Sequence, residues 1–171
     1  MHFNLLKKYI YLYIAVGVIS FLGVTFFSYK IDYAHLYNKY SDSLYRQAIS
    51  ISTEYASDYF SNEHLRVIET QLKTVSSLSN TRIIFIDPNG NVILDTQYNS
   101  PADENGHLYT VTDFDYSNLG TSHTLTGDFY GTFDSTYISV FAPITNAFTT
   151  KGYVVVNIPE KTITDDVYTT F

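Results

Sequence analysis

Residues 81–96 read Thr-Arg-Ile-Ile-Phe-Ile-Asp-Pro-Asn-Gly-Asn-Val-Ile-Leu-Asp-Thr, and the fold follows from how this stretch must pair. Ile83, Ile84, Phe85 and Ile86 are an unbroken run of β-formers, two of them pointing to each face of a strand. A strand that is apolar on both faces needs cover on both sides, which places it at the centre of a sheet. Asp87-Pro88-Asn89-Gly90 then reverses the chain. Pro88 pre-sets the first turn position, Asn89 suits the second, and Gly90 accepts a positive φ at no steric cost. Val92, Ile93 and Leu94 return as the second strand of a hairpin.

The 171 residues around this hairpin suit one domain plus an attachment. No cysteine is present, which excludes disulfides, thiolate nucleophiles and Cys-ligated zinc. The net charge of −7 is unevenly spread: from Ile31 onward seven basic residues face all seventeen acids, a net −10. Such a surface repels nucleic acid, and no basic-aromatic patch offsets it.

Residues 10–29 carry no charge. Twenty helical residues span about 30 Å, the hydrocarbon thickness of a bilayer. Tyr9, Tyr11, Tyr13 and Tyr29 suit the two interfaces, and Lys7 and Lys8 precede the segment. By the positive-inside rule residues 1–9 are cytoplasmic and residues 31–171 extracytoplasmic. A cleaved signal peptide is the competing reading, but its apolar core is shorter and ends in small residues. Here the segment runs out through Thr25-Phe26-Phe27-Ser28-Tyr29-Lys30, which favours an uncleaved anchor.

Beyond the anchor, Tyr33, Tyr37, Tyr40, Leu44, Ala48, Ile51, Tyr55 and Tyr59 recur at helical spacing, predicting a long helix over 31–60. Ser61 or Asn62 caps a second helix, with Glu63 in its first turn and Leu65, Ile68, Leu72 and Val75 as its stripe. After the hairpin, 97–122 is a long polar connection in which 107–111 reads as a short strand or an ordered part of the loop. Residues 124–133 read as a strand interrupted by Gly127 and Gly131, and 136–144 as a strand that Pro143 closes. A turn over 145–151 leads to a strand over 152–158, and Pro159 precedes a last helix over 160–171. The expected fold is α+β: a membrane helix running into a long helix packed on a five-stranded antiparallel sheet.

This order of elements resembles the extracytoplasmic PDC/Cache sensor domain of bacterial membrane receptors, sensor histidine kinases above all. The resemblance rests on the membrane helix continuing into a long helix and on the hydrophobic strand, Asp-x-x-Gly turn and Val-Ile-Leu-Asp of residues 82–96. It rests further on 137–144, similar to a strand ending in Pro-Ile, and 151–158, similar to a Gly-x-Val-x-Val strand. It implies a PAS-like sheet over 30–159 that senses an external signal, and the Tyr-rich membrane-proximal half of the long helix is expected to pair with a second copy as a homodimer. It also implies that residues 160–171 lead towards a second membrane span, a HAMP linker and a kinase outside these residues. Sensors of chemotaxis receptors or cyclases, and a membrane-anchored interaction or structural protein without a small ligand, are the alternatives.

No catalytic motif, phosphate loop or metal-ligand spacing occurs, so neither a cofactor nor a metal is expected. Asp87, Asn89 and Asn91 imitate a calcium loop, but Val92 stands where its glycine belongs and Tyr98 where its closing Glu belongs. Asp103-Glu-Asn105 and Asp113-Phe-Asp115 likewise lack the closing Glu; at Asp113 and Asp115 a loose cation site is weighed against a solvated acidic loop. If Ile138, Val140 and Ala142 face the helix, then Tyr137, Ser139 and Phe141 face the 97–122 connection. Tyr109, His123 and Tyr130 are placed to line the same space. These six residues form either a pocket for a small ligand, a cation or a cationic peptide, or a second small core. Arg82 is the sole Arg near the sheet, which disfavours a di- or tricarboxylate.

Overall fold

A computed structural model of the chain describes residues 2–54, 65–104, 106–117, 123–146 and 148–169. Its helices are α1 (His2–Glu54), α2 (Leu65–Ser79) and α3 (Glu160–Thr169). Its strands are β1 (Arg82–Ile86), β2 (Asn91–Asp95), β3 (Tyr109–Thr110), β4 (Thr124–Gly127), β5 (Tyr137–Asn146) and β6 (Thr149–Pro159). The fold is α+β, and the six strands form one antiparallel sheet in the order β3-β2-β1-β6-β5-β4.

Ile83, Ile84, Phe85 and Ile86 are fully buried, as their two-sided apolar character requires. β1 sits between β2 and β6, so the first and last long strands share the sheet centre. Asp87 closes the hairpin turn: its carboxylate accepts the Asn89 and Asn91 amides at 2.8 and 2.9 Å and the Asn91 side-chain amide at 2.9 Å. Gly90 has φ +87, and a Cβ there would stand 2.6 Å from the Val111 carbonyl oxygen. The glycine is therefore required both by conformation and by the connection lying against it.

All three helices lie on one face. Leu44, Ala48 and Ile51 of α1, Ile68 and Leu72 of α2, and Ile163 and Val167 of α3 are buried there against Ile83, Phe85, Ile138, Val140, Ala142, Val154, Val156 and Ile158. α1 is a single helix from the apolar segment to Glu54, with Tyr33, Tyr37 and Tyr40 packed at the margin of this core. Along Lys7–Glu54 it is long and apolar enough to cross a membrane, and its apolar stretch is covered by nothing else among the described residues. Tyr55 and Tyr59 of the long-helix reading, and the capping residues Ser61, Asn62 and Glu63, lie outside the described residues.

Four details differ from the sequence reading. A sixth strand, β3, is made by Tyr109 and Thr110 pairing with Val92 and Asn91. The strand read over 124–133 ends at Gly127, because Phe129, Tyr130 and Gly131 turn left-handed (φ 51, 56 and 75). The turn read over 145–151 shrinks to its tip, since Thr145 and Asn146 pair with Thr150 and Thr149 beyond a bulge. Pro143 lies inside β5 rather than closing it. The Phe141 amide donates to the His123 carbonyl at 2.9 Å, so Pro143, two residues on, turns its missing donor to the same outer side. Its carbonyl there accepts the Ser52 hydroxyl of α1 at 2.7 Å.

Truncating the central ring tests this arrangement: Phe85→Ala is expected to lower unfolding free energy by about 3–5 kcal/mol. Gly90→Ala is expected to cost more than about 1 kcal/mol, since it adds both strain and overlap. Both are read from denaturant titrations of the full chain.

Candidate functional site

The sheet face away from the helices is aromatic. Ile84, Ile86, Val92, Phe141 and Val155 form its floor, and Val111, Phe129 and Phe133 are buried on top of them. Phe129 stacks on Phe133 and Phe141 with ring centroids 5.0 and 6.0 Å apart. Phe114 meets Phe141, Tyr130 and Tyr153 at 6.2, 5.9 and 5.7 Å. The face is filled by these rings, which arrive from the segments before and after β4.

Alternation places Tyr137, Ser139 and Phe141 on this face, opposite Ile138, Val140 and Ala142. Tyr137 packs on Phe133 at 4.5 Å, and Phe141 is fully buried. Tyr130 is half-buried and donates its hydroxyl to the Asp115 carbonyl at 3.3 Å. His123, at the rim beside β4, has φ 50 and lies parallel to the rings of Tyr45 and Tyr116 at 5.6 and 5.9 Å. Its Nδ1 is 2.9 Å from the Tyr116 hydroxyl. Tyr109 lies at the opposite rim, where β3 pairs β2.

Polar groups cluster at one end of the face. The Arg82 guanidinium grips Asp95 with Nε at 3.0 Å from Oδ1 and Nη2 at 2.6 Å from Oδ2, and it lies 4.5 Å over the Phe133 ring. The Tyr109 hydroxyl donates to Asp95 Oδ2 at 2.7 Å. Burial pushes the Tyr109 phenol well above its ordinary value, and the Asp95 carboxylate adds to the rise. Burial by itself would lower the Arg82 guanidinium, yet its hydrogen bonds and charge pairing with Asp95 raise it. The charge of Arg82 is thus answered from within the protein.

The row that begins at Arg82 continues across the sheet as Asn157 and Ser139, which are cross-strand neighbours. Asn157 Nδ2 donates to the Arg82 carbonyl at 3.0 Å. Ser139 Oγ and Asn157 Oδ1 are buried without a hydrogen-bond partner among the described residues.

Cavities of about 510 and 420 Å³ flank the face, and one of about 260 Å³ is lined by its outer rings Phe114, Tyr116 and Tyr153. The first lies between α1 and β4 beside Tyr45 and His123, the second between α2, β2 and the 97–108 connection, the third beside Pro88, Asp115 and Tyr153. Of the six residues singled out from sequence, His123 alone lines any of these three. Asp115 is occupied by its neighbour: Oδ1 accepts the Ser117 hydroxyl at 2.6 Å and amide at 2.8 Å, and these bonds hold its carboxyl below the usual range. Among the described residues no three His, Asp or Glu side chains converge as metal ligands.

Asn157 and Phe133 escaped the sequence reading. Asn157 did carry a signal, as the one polar residue inside Tyr153-Val154-Val155-Val156-Asn157-Ile158. Phe129 and Phe133 carried none, because both were assigned to a strand. Compared with known proteins, the chain matches no family model and no curated protein.

Two outcomes follow from the Arg82–Asp95–Tyr109 group. Asp95→Asn leaves Arg82 without its counter-charge in a largely buried site, and the expected cost is about 3–5 kcal/mol in a denaturant titration. The Tyr109 phenol is raised above its ordinary 10.0, so its contribution is complete below that pH and is lost as pH rises through the folded value. Thermal melts above pH 10.0 are expected to decline less steeply for Tyr109→Phe than for wild type.

Proposed function

We propose that the chain is the sensing region of a membrane receptor, of the PDC/Cache kind and most simply of a sensor histidine kinase. In this reading residues 10–29 cross the membrane with the N-terminus in the cytoplasm. The sheet lies outside, its aromatic face meets the signal, and two copies associate along α1. What supports a PAS-like sheet is the strand order: apart from the two-residue β3, it runs β2-β1-β6-β5-β4, with the first and last strands paired at the centre.

The observation that carries the proposal is the meeting of α1 and α3. The apolar segment and the sheet are joined by one unbroken helix, and the last helix returns to the part of α1 just beyond that segment. The Tyr33 hydroxyl donates to Glu160, the Tyr40 hydroxyl donates to Asp166 Oδ2 at 2.5 Å, and the Tyr29 and Tyr168 rings lie 5.8 Å apart. Movement of β6 relative to β5 is therefore passed through α3 to the membrane end of α1.

Single cysteines test the placement in this naturally cysteine-free chain. On intact cells Ser43→Cys is expected to react with a membrane-impermeant maleimide, and Lys8→Cys only after permeabilisation; the reverse pattern removes the proposal. A thermal-shift screen of the full chain against metabolites, metal ions and cationic peptides tests direct sensing. A panel that leaves the melting temperature unchanged favours an interaction protein instead.

A further inference from the structure

The aromatic face carries two unfavourable features. Phe129 and Tyr130 are consecutive bulky residues in the left-handed region, followed by Gly131. Side chains with a Cβ pay for that conformation, and it persists where surrounding contacts enforce it. The turn is held by the Phe133 amide on the Asp128 carbonyl at 2.8 Å and the Gly131 amide on Asp128 Oδ1 at 3.1 Å. On the same face, in the row that runs from Arg82 across β6 to β5, are the two orphaned atoms, Ser139 Oγ and Asn157 Oδ1, in residues 1% and 0% exposed. Phe133 touches both Arg82 and Tyr137, and Phe129 touches both Phe133 and Phe141. The register sets Asn157 between Arg82 and Ser139, so these two rings roof the orphaned pair. A phenyl ring offers it no conventional partner, and each buried unpaired group carries a desolvation cost.

We propose that Phe129 is a built-in occupant of a ligand seat. A neutral, planar molecule with an N–H or O–H donor displaces residues 128–133, stacks where the Phe129 ring stacks, and bonds Asn157 Oδ1 and Ser139 Oγ. The inference rests on the reading that this face receives the signal. The ligand class follows from the seat. Asn157 Oδ1 accepts only, so the ligand must donate, while Ser139 Oγ takes either role. Phe141, which stays in β5, lies within 22° of parallel to the Phe129 ring, so the incoming group is flat. Arg82 is already neutralised by Asp95, so a carboxylate finds no free cation. Binding releases the strained turn and satisfies the orphaned pair, which offsets part of the cost of moving Phe129.

Phenol, toluene and benzoate are the probes, titrated into the full chain in detergent micelles. The methyl NMR signals of Val155, on the floor of the seat, separate binding there from partition into the micelle. Phenol is expected to shift them saturably and to bind at least about tenfold more tightly than toluene or benzoate. Ser139→Ala, which leaves only the Asn157 bond, is expected to reduce the advantage of phenol over toluene without loss of stability. Phe129→Ala, which no longer has to expel a ring, is expected to bind phenol about tenfold more tightly than wild type. Phe129→Leu serves, with the same sign, where the alanine variant does not fold. Equal affinities for phenol and toluene in wild type, or no tightening in the Phe129 variant, overturn the proposal. So does a Ser139→Ala variant that loses stability, because the pair would then already be satisfied by a buried water. None of these results moves the maleimide pattern, so the sensing reading stands or falls separately.

Discussion

Strand β1 is apolar on both faces, and the rest of the protein is arranged to cover it. Ile83 and Phe85 require one layer, Ile84 and Ile86 another. On one side the requirement is met by regular helices: α1, α2 and α3 bring Leu, Ile, Val and Ala against the central strands. On the other side it is met by irregular chain, which brings Phe and Tyr rings from the segments flanking β4. Helices satisfy their own backbone and present a regular stripe, so the first cover is inexpensive to build. Loops must find partners for every amide they bury, and the second cover reaches closure with left-handed residues and two unpaired polar atoms.

This asymmetry connects stability with function. The helical face holds the domain together and ties α3 to the part of α1 just beyond its apolar segment through tyrosine–carboxylate bonds. Burial raises the Tyr33 phenol, with Glu160 adding to it, and the hydrogen bond to Asp166 raises the Tyr40 phenol first, with burial second. Both phenols thus stay protonated donors under ordinary conditions. The aromatic face is the side on which a rearrangement has something to release. In the proposed receptor, the first face transmits and the second receives.

The hairpin was legible in the sequence because its determinants are local: Pro88, Asn89, Gly90 and the Asp87 carboxylate act within five residues. The helix-facing residues and the outward set Tyr137, Ser139 and Phe141 were legible because a strand alternates strictly. β3 stayed open between a short strand and an ordered loop over 107–111, since two residues carry no periodicity and pair through the edge that β2 offers. The segment from Asp128 to Phe133 misled for a physical reason. Phe and Tyr favour strands intrinsically, whereas the contacts that bend them left-handed come from Phe141, Phe114 and Asp115 elsewhere in the chain. For the same reason the six candidate residues were assigned to one face correctly in part, while what fills that face stayed hidden.

Amide hydrogen exchange of the full chain, followed peptide by peptide, tests the inequality of the two covers most directly. The account predicts that β1 and β6 exchange only through global unfolding, while residues 128–133 exchange at least about a hundredfold faster by local opening. Exchange over 128–133 as slow as that of β1 and β6 would make the aromatic face a second rigid core and contradict the account.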